Sequence, residues 1–136
     1  MPKNDYWKLS AYESAKLIKD GSISAEDLVS SCIERVNQTN NKINAIVDNL
    51  SEPALEKAHE LDKLTKKGKF KGPLHGVPIT IKENIDQKGY ATPNGLEAQK
   101  DLIAPGNAPV VDNLEQDGAI VIGRTNTPEF SMRGTT

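Results

Sequence analysis

Three residues of strand character, Ile79, Thr80 and Ile81, run straight into Lys82 in the stretch P-I-T-I-K-E-N-I-D. A lysine at that point has two readings. It can mark the end of a strand and face water, as most lysines do. It can instead be held inside the protein as a base. An amine is a base only after it has lost its proton, and a free lysine at neutral pH has not. Burial disfavours the charged form, and the end of a strand covered on both faces can supply burial. In strand alternation Lys82 shares one side with Thr80, while Ile79 and Ile81 take the other. Asn84 and Asp86 follow at once, and the expectation is that they order the next loop through hydrogen bonds to backbone.

The other reactive side chains read as structural. His75 sits in a turn, P-L-H-G, with no acidic or serine neighbour in sequence. His59 lies among charges and reads as solvated. Cys32 falls on a helical apolar stripe, which makes it a core filler and not a nucleophile. It is the single cysteine of the chain. It can therefore form no internal disulfide and no thiol pair for a metal, and a reducing, cytoplasmic setting is expected. Ser10 and Ser24 are helix caps, Ser30 and Ser31 lie on a helix, and Ser131, in E-F-S-M-R-G, is given a packing role. None of them is assigned as a nucleophile.

Charge excludes some partners. Seventeen Lys and Arg against nineteen Asp and Glu leave a net charge of −2, which gives no electrostatic case for direct nucleic-acid binding. The densest basic stretch, Lys63, Lys66, Lys67, Lys69 and Lys71, closes a helix, where cations suit the C-terminus. No apolar run approaches the ~20 residues of a membrane span, and the first residues, M-P-K-N-D-Y-W-K-L, contain no apolar signal segment.

Around Lys82 the apolar residues of the chain are grouped, so a folded chain is expected. Ser10 with Glu13 forms a capping box for a helix over 10–20, stopped by Gly21. Ser24 caps a longer helix, with Asp27 at the reciprocal position and Leu28, Val29, Cys32, Ile33 and Val36 on one face. Residues 43–47 read as a short extended piece. Pro53 opens a third helix that buries Ala54, Leu55, Ala58, Leu61 and Leu64 and ends near Gly68. A strand covers 77–82. A long loop over 84–106 follows, of the kind that is functional or disordered. Asn107 caps a helix with Pro109 in its first turn, Val110, Val111 and Leu114 facing in, and Gly118 at its end. A-I-V-I-G over 119–123 is a second strand without polar alternation, hence buried on both faces as in a parallel sheet. Strand, helix and strand make a βαβ unit. Thr127-Pro128-Glu129 starts another helix.

From Gly72 onward the string G-P-L-H-G-V-P-I-T-I-K-E-N-I-D resembles the segment around the catalytic lysine of the amidase signature hydrolases. D-G-A-I-V-I-G-R-T-N-T-P-E-F is similar to the stretch that follows it in the same family. The helical front, with G-S-I-S-A-E-D-L-V-S-S-C-I-E-R-V and K-I-N-A-I-V, also has the family's look, so the resemblance runs from about Leu9 to the end. It implies an α/β fold: a mixed central sheet wrapped by helices, of which N-terminal helices plus a βαβ unit form the front portion. It also implies a Ser–Ser–Lys triad that cleaves carbon–nitrogen amide bonds through an acyl-enzyme. One serine is the nucleophile. A second, on a cis peptide bond, passes the proton to the lysine. Members act on small, lipid or peptide amides, or release ammonia from glutamine for use on transfer RNA, with no metal or organic cofactor. Lys82 aligns with the family lysine and is the one catalytic residue assigned. Met132, Gly134 and Thr135 resemble the part that approaches the substrate pocket, although R-G-T-T departs from the usual small residues there.

The family's two serines lie in a G-G-S-S-G-G-S kind of segment, and none stands in these residues. The expectation is that residues 1–136 are the N-terminal portion of a single amidase domain, incomplete at its C-terminus. Residues 1–71 would be mainly helical and 72–136 would carry the lysine motif. Such a chain would be inactive alone. The alternatives are a non-catalytic binding module, or one chain of a two-chain amidase or glutamine-dependent amidotransferase. Its partners are then an amide substrate and the missing part of the enzyme. Two strands alone would leave open edges, so the isolated chain is expected either to associate, as in a homo-oligomer, or to unfold.

Overall fold

A computed structural model describes residues 3–136. Helix α1 (Ala11–Lys19) begins at Ser10, whose side chain accepts from Glu13 N–H while the Glu13 carboxylate accepts from Ser10 N–H, the expected capping box. Helix α2 (Ala25–Ile43) starts at Ser24, whose hydroxyl accepts from Asp27 N–H at 2.9 Å. Helix α3 spans Ser51–Thr65 and α4 spans Pro109–Gln116. A short 3₁₀ helix over Lys3–Lys8, absent from the pattern reading, packs on α2.

The sheet has three strands: β1 (Ile46–Asn49), β2 (Pro78–Lys82) and β3 (Ile120–Thr125). Their order is β1-β3-β2, with β2 parallel and β1 antiparallel to β3. Ile120 and Ile122 pack against Ile18, Leu28, Val29, Ala58 and Leu61 of the first three helices. Val121 and Ile81 pack with Leu50 and Val111, against α4. Alternate side chains of β3 thus enter two cores on opposite faces, which is why this strand lacks polar alternation. Gly123 lets β1 come close: a Cβ there would stand 2.7 Å from Ile46 Cγ2.

Several expectations shift. The extended piece is 46–49, not 43–47. Ile43 still belongs to α2, Asn44 ends that helix in the left-handed region at φ 47°, and the Asn40 side chain pins both the N–H and the C=O of Ile46 at 2.8 Å. Helix α3 opens at Ser51, ahead of Pro53, with Leu50 at its N-cap position, and Ala108, not Asn107, caps α4. Asn107 instead accepts from Lys88 N–H and donates to Asp112. Val111 is fully buried while Val110 is 48% exposed, the reverse of the inward placing of Val110. The 127–129 stretch opens no α-helix. It leads to a 3₁₀ turn over Glu129–Ser131 with Phe130 at φ 48° and Ser131 at φ 58°.

The start of α2 carries a feature invisible in local sequence. Asp62, buried on α3, accepts from the N–H groups of Ala25 at 2.8 Å and Glu26 at 3.0 Å. With Ser24 it satisfies the donors of the first turn. Asp62→Ala leaves two of them without an acceptor, one on fully buried Ala25, and is expected to cost about 2 kcal/mol. Asp62→Asn keeps one oxygen and costs less. Urea midpoints of the two variants check the order.

Candidate active site

Lys82 lies where the parallel pair ends. Its Cα pairs with Thr125, and the loops after both strands meet there. In sheets with parallel strands, the carboxyl ends are where sites collect. One-residue register shifts occur in both pairings, at Ile79/Thr80 and at Ile46/Asp48, and bulges of this kind re-aim side chains next to sites. Ile81 is buried and Ile79 packs beside it, Thr80 is exposed, and Lys82 is half-buried, as the alternation required.

The Lys82 amine donates to Ser131 Oγ at 3.1 Å. The same oxygen receives Asn84 Nδ2 at 3.1 Å and lies 3.1 Å from Thr127 Oγ1. Ser131 is therefore no packing residue. It is exposed and tied to the lysine by polar contacts. Asn84 and Asp86 also work differently from the expectation. Asn84 reaches the Ser131 side chain, and Asp86 Oδ1 accepts from the Thr92 hydroxyl at 2.7 Å. Asn84 thereby joins the Lys82 loop to the Glu129–Ser131 turn, and Asp86 ties that loop to itself, each by a side-chain contact.

The long loop is ordered. Ala91 and Ile103 form a bridge, Thr92 N–H donates to the Leu102 carbonyl, and Ala104 N–H donates to that of Tyr90. Its tip holds the 127–131 turn: Phe130 N–H donates to Asn94 O at 2.9 Å. Gly95, at φ 74°, allows this approach, since a Cβ there would meet Glu129 N at 2.7 Å.

Arg124, which the sequence reading passes over, joins the long loop to the sheet. It is fully buried. Its Nη2 donates to the carbonyls of Glu83 at 3.0 Å and Ile85 at 3.2 Å, immediately after Lys82. Its Nη1 donates to Asp48 Oδ2 at 3.0 Å and to the Ala91 carbonyl. The one signal for it in the sequence is a charged residue continuing an apolar strand in V-I-G-R-T. Met132, Gly134 and Thr135 are exposed.

The histidines and the cysteine stand apart from this cluster. Burial pushes the Cys32 thiol up to about 11, which suits a filler. His59 is exposed and 3.4 Å from Glu26. His75 is buried, its Nδ1 accepting from Lys71 N–H at 3.0 Å and its Nε2 facing Leu61 O and Thr65 Oγ1. Burial holds its pKa below the usual histidine value. The unfolded chain therefore binds the extra proton first. The stability due to neutral His75 is complete above about pH 6.5 and is lost as pH falls below it. Unfolding curves between pH 7 and 5 should show this slope in the wild type and a flatter one in His75→Gln.

Among the described residues no group of three or more His, Cys, Asp or Glu gathers as a metal set would. None of the described helices is long and apolar enough to cross a membrane.

The scaffold is mixed α/β, and it brings a lysine and a set of hydroxyl and amide groups together at the ends of parallel strands. Residues 27–136 match the Amidase family, and the chain belongs to it. The chain is 53% identical over 135 residues to an indoleacetamide hydrolase of Bradyrhizobium diazoefficiens, covering 99% of this chain and 26% of that protein. It is 36% identical over 129 residues to a glutamyl-tRNA(Gln) amidotransferase subunit of Natranaerobius thermophilus, covering 95% and 26%. Among solved structures, a bacterial aryl acylamidase of the amidase signature family superposes with a TM-score of 0.83 at 31% identity, over 94% of this chain and 27% of that one. The chain thus spans about a quarter of the length of the curated relatives it matches.

Proposed function

We propose that this chain supplies the base of an amide hydrolase, Lys82, and that the nucleophilic and relay serines come from outside its 136 residues. Residues 1–136 are then the N-terminal portion of one amidase domain, and the remainder of that domain is its partner. The observation that carries the reading is the amine of Lys82 at the end of a parallel strand, donating into a cluster of hydroxyl and amide groups, in a chain of the amidase family. In the reaction the relay hydroxyl gives its proton to the amine and takes up the proton of the nucleophilic serine as that oxygen attacks the amide carbonyl, and the proton on the amine then returns through the relay to the leaving nitrogen as the carbon–nitrogen bond breaks. Water then releases the acyl group.

The identity of 53% to the indoleacetamide hydrolase, against 36% to the amidotransferase subunit, favours hydrolysis of a small amide. Indoleacetamide is the first substrate to try. A free, partly buried cysteine suits a reducing cytoplasm.

The test uses two proteins. The 136-residue chain alone should release no ammonia from indoleacetamide. A chimera of the Bradyrhizobium enzyme, with its matching quarter replaced by this chain, should release it. Turnover by the chain alone would defeat the absent-serine reading. A folded chimera without turnover on amides would defeat the hydrolase reading.

A further inference from the structure

Ser131 Oγ has three polar neighbours, and their chemistry fixes which way its proton points. Asn84 Nδ2 is a donor, and so is Lys82 Nζ in its ammonium form, each at 3.1 Å. A hydroxyl has two acceptor sites and one hydrogen. With both acceptor sites filled, the hydrogen goes to the third neighbour, Thr127 Oγ1, also at 3.1 Å. Thr127 in turn donates to the Pro128 carbonyl at 3.3 Å, and a carbonyl has no proton to send back. The chain of donors therefore runs one way: Lys82 amine, Ser131, Thr127, Pro128 carbonyl. The Asn84 orientation is fixed by the same accounting. Its Oδ1 is buried without a partner among the described residues, and turning the amide over would place there an NH₂ with two unmet donors in place of one unmet acceptor.

We propose that Ser131 is a positioning residue for the Lys82 amine, and that Thr127 keeps it an acceptor. Because the Ser131 proton is committed to Thr127, it cannot turn onto Nζ and occupy the nitrogen lone pair. The lone pair stays open for the relay hydroxyl. When that O–H bond breaks and a new N–H bond forms at Nζ, the resulting ammonium still donates to Ser131. The contact therefore holds the nitrogen in place in both of its protonation states. This rests on the reading of Lys82 as the base. It adds a role for two residues that the triad does not contain.

The experiment measures kcat, KM and melting temperature in the chimera for Ser131→Ala, Thr127→Val, Thr127→Ser and Lys82→Ala. Ser131→Ala should lower kcat about tenfold with KM unchanged, since a misplaced base slows chemistry and leaves binding intact. Thr127 is buried, so packing favours the isosteric Val and chemistry favours Ser. The proposal requires Thr127→Val to lose kcat and Thr127→Ser to recover most of it, even where Ser is the less heat-stable of the two. If Ser131→Ala also lowers the melting temperature, that Val-against-Ser order alone decides. Full kcat in Ser131→Ala, or Val equal to or better than Ser, overturns the proposal while an inactive Lys82→Ala leaves the base reading standing. An active Lys82→Ala removes the base reading itself.

Discussion

Lys82→Ala in the chimera is expected to lower kcat by about 10³-fold or more, with KM for indoleacetamide within about twofold of the parent value. The reason is that an alanine methyl can neither take the relay proton nor return it to the leaving nitrogen. Both serines would remain, but no group would be left to move the proton between them and the departing amine. Binding should survive, because nothing assigns Lys82 a contact to the ground-state substrate. Lys82 does hold Ser131 by one hydrogen bond, so a small change in the melting temperature is expected too. Lys82→Met separates the two effects, since it keeps the length and apolar stem of the side chain and removes the amine. If Lys82→Met is as inactive as Lys82→Ala while melting near the parent, the loss belongs to the amine. If it turns over near the parental rate, Lys82 is not the base.

What can be read from the sequence around this site is local, and what cannot is long-range. Ser10 and Ser24 announce their helices because a cap acts over three residues. Lys82 stands out because an apolar strand leads into it. The placing of Val110 fails because adjacent residues stand about 100° apart on a helix, so a short helix that points Val111 into the core turns Val110 to the surface. The pattern places the first strand too early because its position is set by the Asn40 side chain clasping Ile46, a contact that no periodicity encodes. Ser131 reads as packing because the family that the sequence resembles commonly carries a small residue at its place. Two of its three partners come from 47 and 49 residues away. Asp62 and Arg124 escape notice for the same cause. A charge is recognised as buried only when the groups that compensate it are known, and theirs lie in other elements.

Arg124→Ala is expected to destabilise the chain by about 3–5 kcal/mol, the largest stability loss among the substitutions proposed. The guanidinium is fully buried, and three backbone carbonyls and the Asp48 carboxylate depend on it. Removing it leaves those carbonyls without a donor, and each unmet buried group costs about 1–3 kcal/mol. Arg124→Lys should recover little, because a single ammonium cannot reproduce a fork that serves the Lys82 loop on one nitrogen and Asp48 with Ala91 on the other. Asp48→Asn should cost within about 1 kcal/mol, since the Asp48 side chain is 42% exposed and water can replace it. The order is therefore Arg124→Ala, close to Arg124→Lys, far above Asp48→Asn, read from denaturant midpoints at constant slope. It separates two accounts of Arg124. If the ion pair with Asp48 were its main purpose, breaking the pair from either end would cost the same. If Arg124 is there to hold the carbonyls of Glu83 and Ile85, only its own loss is severe. The chimera carrying Arg124→Lys should then show reduced kcat even at temperatures where it is fully folded, because the backbone that follows Lys82 has lost its anchor. Equal costs at Arg124 and Asp48, or parental kcat in folded Arg124→Lys, would refute the anchoring account.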